Sequence, residues 1–168
     1  MTESQDISFR LWQMVSNVRH IIYKARQKEL NQYGISIRSS IVLDTVLRLG
    51  KRATPIAISQ QSFIERHSIS EQLSRMEKEG LIKKVRDLER KNLVRIEVTE
   101  KGYELSRKAA ERESVKHIMS ALTREEQREL WFLLSKLRER TMKNMGLENI
   151  EPYPPSNPDE LSHADLTT

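Results

Sequence analysis

The chain has 168 residues, enough for one domain with its own core, and no cysteine, which excludes disulfides, thiolate metal sites and thiol-based redox sensing. Its formal net charge of +5 is uneven: from Gly146 onward there are Glu148, Glu151, Asp159, Glu160 and Asp165 but no Lys or Arg, so residues 1–145 carry +10 and will gather polyanions. No run approaches the roughly 18 apolar residues of a membrane span, and MTESQDISF lacks the basic start and apolar centre of a signal peptide, so a cytoplasmic protein without a membrane partner is expected.

Residues 7–33 repeat apolar side chains at Ile7, Leu11, Val15, Val18, Ile22 and Ala25, one face of a helix. Phe9, Trp12, Met14, Ile21 and Tyr23 widen that stripe, so the helix should bury two sides, one of them against something outside its own domain. A second helix is expected from the cap Ser36 through Ile41, Val42, Thr45, Val46 and Leu49 to Gly50. A third starts at Thr54 with Pro55 in its first turn and turns Ile58 and Phe63 inward. The segment HSISEQLSRMEKEG follows, with Ile69, Leu73 and Met76 on one face and Gly80 closing it.

The period then changes to two. LIKKVR and Val94, Ile96 and Val98, alternating with Arg95 and Glu97, read as a hairpin, and DLERKN between them as a flexible basic tip. Helical spacing returns from Thr99 through Tyr103, Leu105, Ala109, Val115 and Ile118. A last helix opens with the capping box Thr123 to Glu126 and contains LWFLL, apolar nearly all round. Beyond it, the acidic tail holds four of the five prolines; it is expected to resist packing and to be dispensable for folding.

Three helices followed by a basic hairpin is the order of a winged helix-turn-helix, in which the helix before the hairpin enters the major groove of double-stranded DNA. With Ile69, Leu73 and Met76 inward, His67, Ser70, Glu71, Ser74, Arg75 and Lys78 face out, flanked by Ser68 and Gln72. Short hydroxyls and an arginine suit base edges and phosphates. An acid facing DNA would be repelled, so Glu71 is read as the partner of Ser68 in a capping box, the other reading being acceptance from a cytosine amino group. The hairpin holds Lys83, Lys84, Arg86, Arg90, Lys91 and Arg95 against Asp87 and Glu89, which suits the phosphate backbone or the adjacent minor groove.

SISEQLSRMEKEGLIKK followed by LERKNLVRIEVTEKG resembles the MarR family, whose recognition helix ends in Leu-Glu-Lys-x-Gly-Leu and whose second wing strand runs into Leu-Thr-x-x-Gly. Met76, Glu77, Lys78, Gly80 and Leu81 match the first run, and Val98, Thr99 and Gly102 the second. The family's wing carries Asp-x-Arg where this chain has Arg90 and Asn92, with Glu89 displaced by one residue, so the wing-arginine role falls to Arg90 or Lys91. The resemblance implies a mainly α fold with a small β-hairpin, a winged helix-turn-helix core flanked by dimerisation helices. The expected parts are an N-terminal dimerisation helix over 1–35, the DNA-binding lobe over 36–99, C-terminal dimerisation helices over 100–145 and the tail over 146–168. It also implies a small aromatic or phenolic effector bound between dimer helices and DNA-binding lobe.

The expected DNA contacts are His67, Ser68, Ser70, Gln72, Ser74, Arg75, Lys78, Arg90, Lys91 and Asn92. Surplus apolar surface at Leu11, Trp12, Val15, Leu130, Trp131 and Leu134 points to a homodimer. The scattered glycines form no phosphate loop, the histidines have no metal-ligand spacing, and no catalytic constellation is present, so neither metal, cofactor nor enzymatic activity is expected. The function expected is a homodimeric, sequence-specific transcription regulator, a repressor on a pseudo-palindromic operator, modulated by a small molecule. The alternative is a winged-helix protein-interaction module whose basic wing meets an acidic partner.

Overall fold

A computed structural model describes residues 3–86 and 94–160. Helix α1 spans Glu3–Leu30 and ends in a short 3-10 turn closed by Gly34. Helix α2, Ile37–Leu49, begins where the Ser36 side chain accepts a hydrogen bond from the Ser39 amide. Helix α3, Pro55–Ser62, is capped by Thr54, whose side chain accepts from the Ala57 amide. Helix α4 runs over Arg66–Lys78. Its C-terminus is a Schellman motif: Gly80 at φ +71° lets its own amide reach Glu77 O (3.0 Å) and the Leu81 amide reach Met76 O (2.9 Å).

Strands β1, Ile82–Arg86, and β2, Val94–Val98, pair antiparallel with Ile82 opposite Val98 and Lys84 opposite Ile96. The Ile96 amide also donates to Ala53 O (2.8 Å), which ties the wing to the connection between α2 and α3. Val42, Leu43, Val46, Ile58, Ile69, Leu73, Met76, Ile82 and Ile96 bury together and hold the helix-turn-helix and wing as one unit.

Three helices follow the wing: the stretch from Thr99 to Ile118, whose spacing reads as one run, is divided into two, and the last helix begins after Thr123 as expected. These are α5, Glu100–Ala109, α6, Glu113–Met119, and α7, Arg124–Asn144. The break falls at Arg112, which adopts φ +51° without being glycine, a conformation that composition does not signal. The joint is tied to α1 from the side. The Arg26 guanidinium donates to Ala109 O and pairs with Glu29 at 2.7 Å, while Glu29 accepts from the Glu113 amide (2.9 Å), the Ser114 amide (3.2 Å) and the Ser114 hydroxyl. The Thr123–Glu126 capping box forms as expected at the start of α7.

Phe63, expected inward, is instead exposed at φ +53°. It ends α3 in the position that a glycine commonly fills, and the backbone turn carries its ring out of the core.

The C-terminal segment departs most from expectation. After Gly146 closes α7, the chain turns back and residues 154–159 pack along that helix. Proline removes N–H donors but leaves every carbonyl able to accept. Trp131 Nε1 (3.0 Å) and Ser135 Oγ (3.2 Å) donate to Ser156 O, Arg138 donates to Pro154 O, and Arg128 holds both oxygens of Asp159 at 2.8 Å. One of the tail's acids, Asp159, pairs with Arg128 of α7, and both side chains stay exposed.

Candidate functional site

Helix α4 turns one face to the core and the other away from the protein. Ile69, Leu73 and Met76 are buried, while His67, Ser70, Glu71, Ser74, Arg75 and Lys78 are exposed and Ser68 is half-buried. The hydroxyls of Ser70 and Ser74 are parked on the helix's own carbonyls, Arg66 O at 3.0 Å and Ser70 O at 2.9 Å. A rotation about one bond redirects either hydroxyl outward. The turn before the helix is set by Ser59, which donates to Ile64 O at 2.7 Å, and by the left-handed Phe63, so helical geometry resumes at Arg66.

That early start removes the expected capping box. Glu65 is the N-cap and Ser68 lies inside the first turn, so Glu71 pairs one helical turn back with His67 Nε2 at 3.3 Å. Gln72 also leaves the proposed DNA-contacting set. It is 3% exposed, and its Nε2 donates to Ser39 Oγ at 2.8 Å, a buried polar link between α4 and α2.

On the wing, Lys83 pairs with Glu97 at 2.9 Å across the strands and Lys84 with Glu77 at 2.7 Å on α4. Both pairs are solvent-screened and hold these lysines only weakly. Arg86 is exposed at the end of β1. Arg90, Lys91 and Asn92 lie outside the described residues.

The apolar surface read as an association face is largely uncovered within one chain. Leu11, Trp12, Val15, Leu130 and Leu134 are exposed, Trp12 at 63%, and the Trp12 ring stacks on Phe9 with centroids 5.5 Å apart. Between α1, α6 and α7 lies an apolar groove of about 670 Å³, lined by Val15, Val18, Ile22, Met119, Leu130 and Leu134. Trp131 differs, being half-buried with its N–H committed to Ser156 O of its own chain.

A separate cavity of about 400 Å³ lies where α1, α2, α3, α5 and α6 meet. Arg26, Arg48, Arg112, Asp44, Thr45, Ile41, Phe63, Val115 and Tyr153 are among its walls. Phe63 and Arg112, the non-glycine residues with positive φ among those described, both line it. Such backbone strain concentrates at functional sites. Sequence reading missed this cavity because its residues come from five helices and the tail, and share no motif.

Among the described residues no cluster of His, Asp or Glu could hold a metal ion, and no helix is long and apolar enough to cross a membrane.

A scan against protein-family models finds no match, and a search of curated proteins finds none either. Solved structures do match. The organohalide-sensing transcriptional regulator RdhR-CbdbA1625, in its ligand-free form, is 33% identical over 92% of this chain and 94% of its own, with a TM-score of 0.80. The same regulator bound to 2,4-dichlorophenol is similar over 94% of this chain and 91% of its own, at 32% identity and a TM-score of 0.75. A mutant of MarR from E. coli complexed with operator DNA shares the fold at 17% identity and a TM-score of 0.72, over 82% of this chain and 99% of its own. With a third of its residues shared over more than nine-tenths of both chains, and with a winged helix-turn-helix built as described, the chain belongs to the MarR family of transcriptional regulators.

Proposed function

We propose that the protein is a homodimeric, sequence-specific DNA-binding repressor that acts on a pseudo-palindromic operator and responds to a small aromatic effector. The observation that carries the reading is the outward face of α4: Ser70, Ser74 and Arg75 stand exposed beside a basic wing, with the core filling the opposite face. His67, Ser68, Ser70, Ser74, Arg75 and Lys78 are the proposed groove contacts. Arg90, Lys91 and Asn92 are proposed wing contacts on the sequence alone. The exposed apolar surface of α1 and α7 supports a two-fold dimer, which would set the two recognition helices at half-sites about 10 base pairs apart. The cavity between the lobes is the proposed effector site, supported by the relative that is bound to 2,4-dichlorophenol.

Binding to operator and to random DNA across a salt series tests the DNA reading. Ser70→Ala or Arg75→Ala is expected to reduce discrimination between the two by about 1–3 kcal/mol, the usual worth of one bonded base edge. The joint replacement Arg90→Ala and Lys91→Ala is expected to weaken both DNAs alike and to flatten the salt slope by about one unit for each phosphate no longer neutralised. A wing pair that changes sequence preference at a fixed salt slope would reverse this division of labour. Sedimentation at micromolar concentration is expected to show a dimer; a monomer that binds DNA one chain per site sinks the two-fold model.

A further inference from the structure

Residues 147–159 lie outside the proposed DNA-contacting set, and they are held at two places. Residues 154–159 are fixed to α7 by Trp131, Ser135, Arg138 and Arg128. Residues 151–153 touch the DNA-binding lobe instead: Gln61 Nε2 on α3 donates to Glu151 O at 3.3 Å, and the Arg48 guanidinium on α2 lies 3.6 Å from the centroid of the Tyr153 ring. The segment thus straps the lobe to α7, and Tyr153 forms part of the wall of the 400 Å³ cavity.

Arg48 is incompletely served by fixed partners. Its Nη1 meets Gln61 Oε1 at a long 3.4 Å, and its buried Nε has no hydrogen-bond acceptor among the described residues, Asp44 standing 3.8 Å away. Asp44 is shared, since Arg112 also approaches it at 3.8 Å. An anionic group entering here therefore meets two guanidiniums and one divided carboxylate. The adjoining walls, Ile41, Phe63 and Val115, are apolar, and the volume suits a ligand of one aromatic ring.

We propose that Tyr153 is a ligand-positioning residue: an aromatic anion, phenolate or carboxylate, binds beside Arg48 against the Tyr153 ring and locks the C-terminal strap onto the DNA-binding lobe. The inference rests on the reading of this cavity as the effector site and adds the strap to it. Occupancy by the ligand and docking of the strap then favour each other, because each completes the other's surroundings.

The test uses the full chain with 2,4-dichlorophenol and with benzoate, followed by calorimetry and by hydrogen exchange of residues 147–159. Wild type is expected to bind at least one compound, Tyr153→Phe to bind it equally well, and Tyr153→Ala about tenfold more weakly, the loss of one ring packed against the ligand's own. At saturation, exchange of the strap is expected to slow in wild type and not in Tyr153→Ala. The proposal is overturned by equal affinity of wild type and Tyr153→Ala, by strap exchange that saturating compound leaves unmoved, or by wild type binding neither compound. Operator affinity measured on the same preparations keeps the two readings apart. If wild type binds operator and a compound while Tyr153→Ala binds equally or the strap is unmoved, the strap proposal alone fails; if it binds operator but neither compound, the effector-site reading fails with it; if it binds no operator, the regulator reading itself fails.

Discussion

Glu29→Ala is expected to destabilise the protein by about 3–5 kcal/mol, the usual consequence of stripping one partner from a buried ion pair. The side chains of Glu29 and Arg26 are each 10% exposed, so without the carboxylate a guanidinium charge stays buried with Ala109 O as its remaining acceptor among the described residues. The same substitution uncaps α6, whose first amides, Glu113 and Ser114, have no other acceptor among the described residues. Urea denaturation at neutral pH measures the loss. A change below about 1 kcal/mol would mean that the pair contributes no more than a solvent-exposed one.

The pH dependence of that contribution has a definite sign. Burial pushes the Glu29 carboxyl up, but hydrogen bonds from Ser114 and the charge of Arg26 together outweigh it and hold the group below its ordinary value of 4.5. A carboxyl lowered in the folded state contributes fully above its unfolded value and loses the contribution as pH falls toward the folded one. The stability gap between wild type and Glu29→Gln is therefore expected to be constant near neutrality and to shrink below about pH 4.5. A gap that widens in acid contradicts the assignment.

Gly102→Ala is expected to cost about 3 kcal/mol, the upper range for overpacking, because the new methyl meets backbone rather than a yielding side chain. A Cβ at residue 102 would stand 2.2 Å from Leu81 O and 2.7 Å from Val98 Cγ1. Leu81 O also accepts the Thr99 amide at 3.1 Å, and Thr99 caps α5 through the Gly102 amide, so the wing's base and the first turn of α5 must shift together. Thermal unfolding is expected to shift down by roughly 6–12 °C in a chain of this size. Gly80→Ala is the control. It faces open space at φ +71° and should cost about 1 kcal/mol, from backbone conformation alone. Equal effects at the two positions would remove steric contact as the explanation.

What could be read in the sequence was what neighbouring residues decide among themselves. Ser36, Thr54 and the Thr123–Glu126 pair cap helices because each hydroxyl reaches an amide a few residues on. Ile69, Leu73 and Met76 announce their buried face by spacing. Features set by distant partners were not legible. Gln72 sits at the edge of the polar face and is buried because Ser39, on another helix, meets it. Phe63 and Arg112 take the left-handed conformation without the glycine that signals it. The tail's composition advertised its prolines and acids, while its docking relies on carbonyl oxygens that every residue has. The outward face of α4 was thus legible almost whole, and the cavity was not.

The Gln72–Ser39 bond gives helix α2 two employers on adjacent residues. Ser39 is clasped by helix α4, while Ser40, the next residue, lines the cavity, as do Ile41, Asp44, Thr45 and Arg48 further along. A rigid helix works here as a crankshaft. Any roll of α2 about its axis at the cavity must drag Gln72, and with it the pitch of α4, unless a buried amide is left without its acceptor. A change among the cavity residues that rolls α2 would therefore reach α4 through this bond.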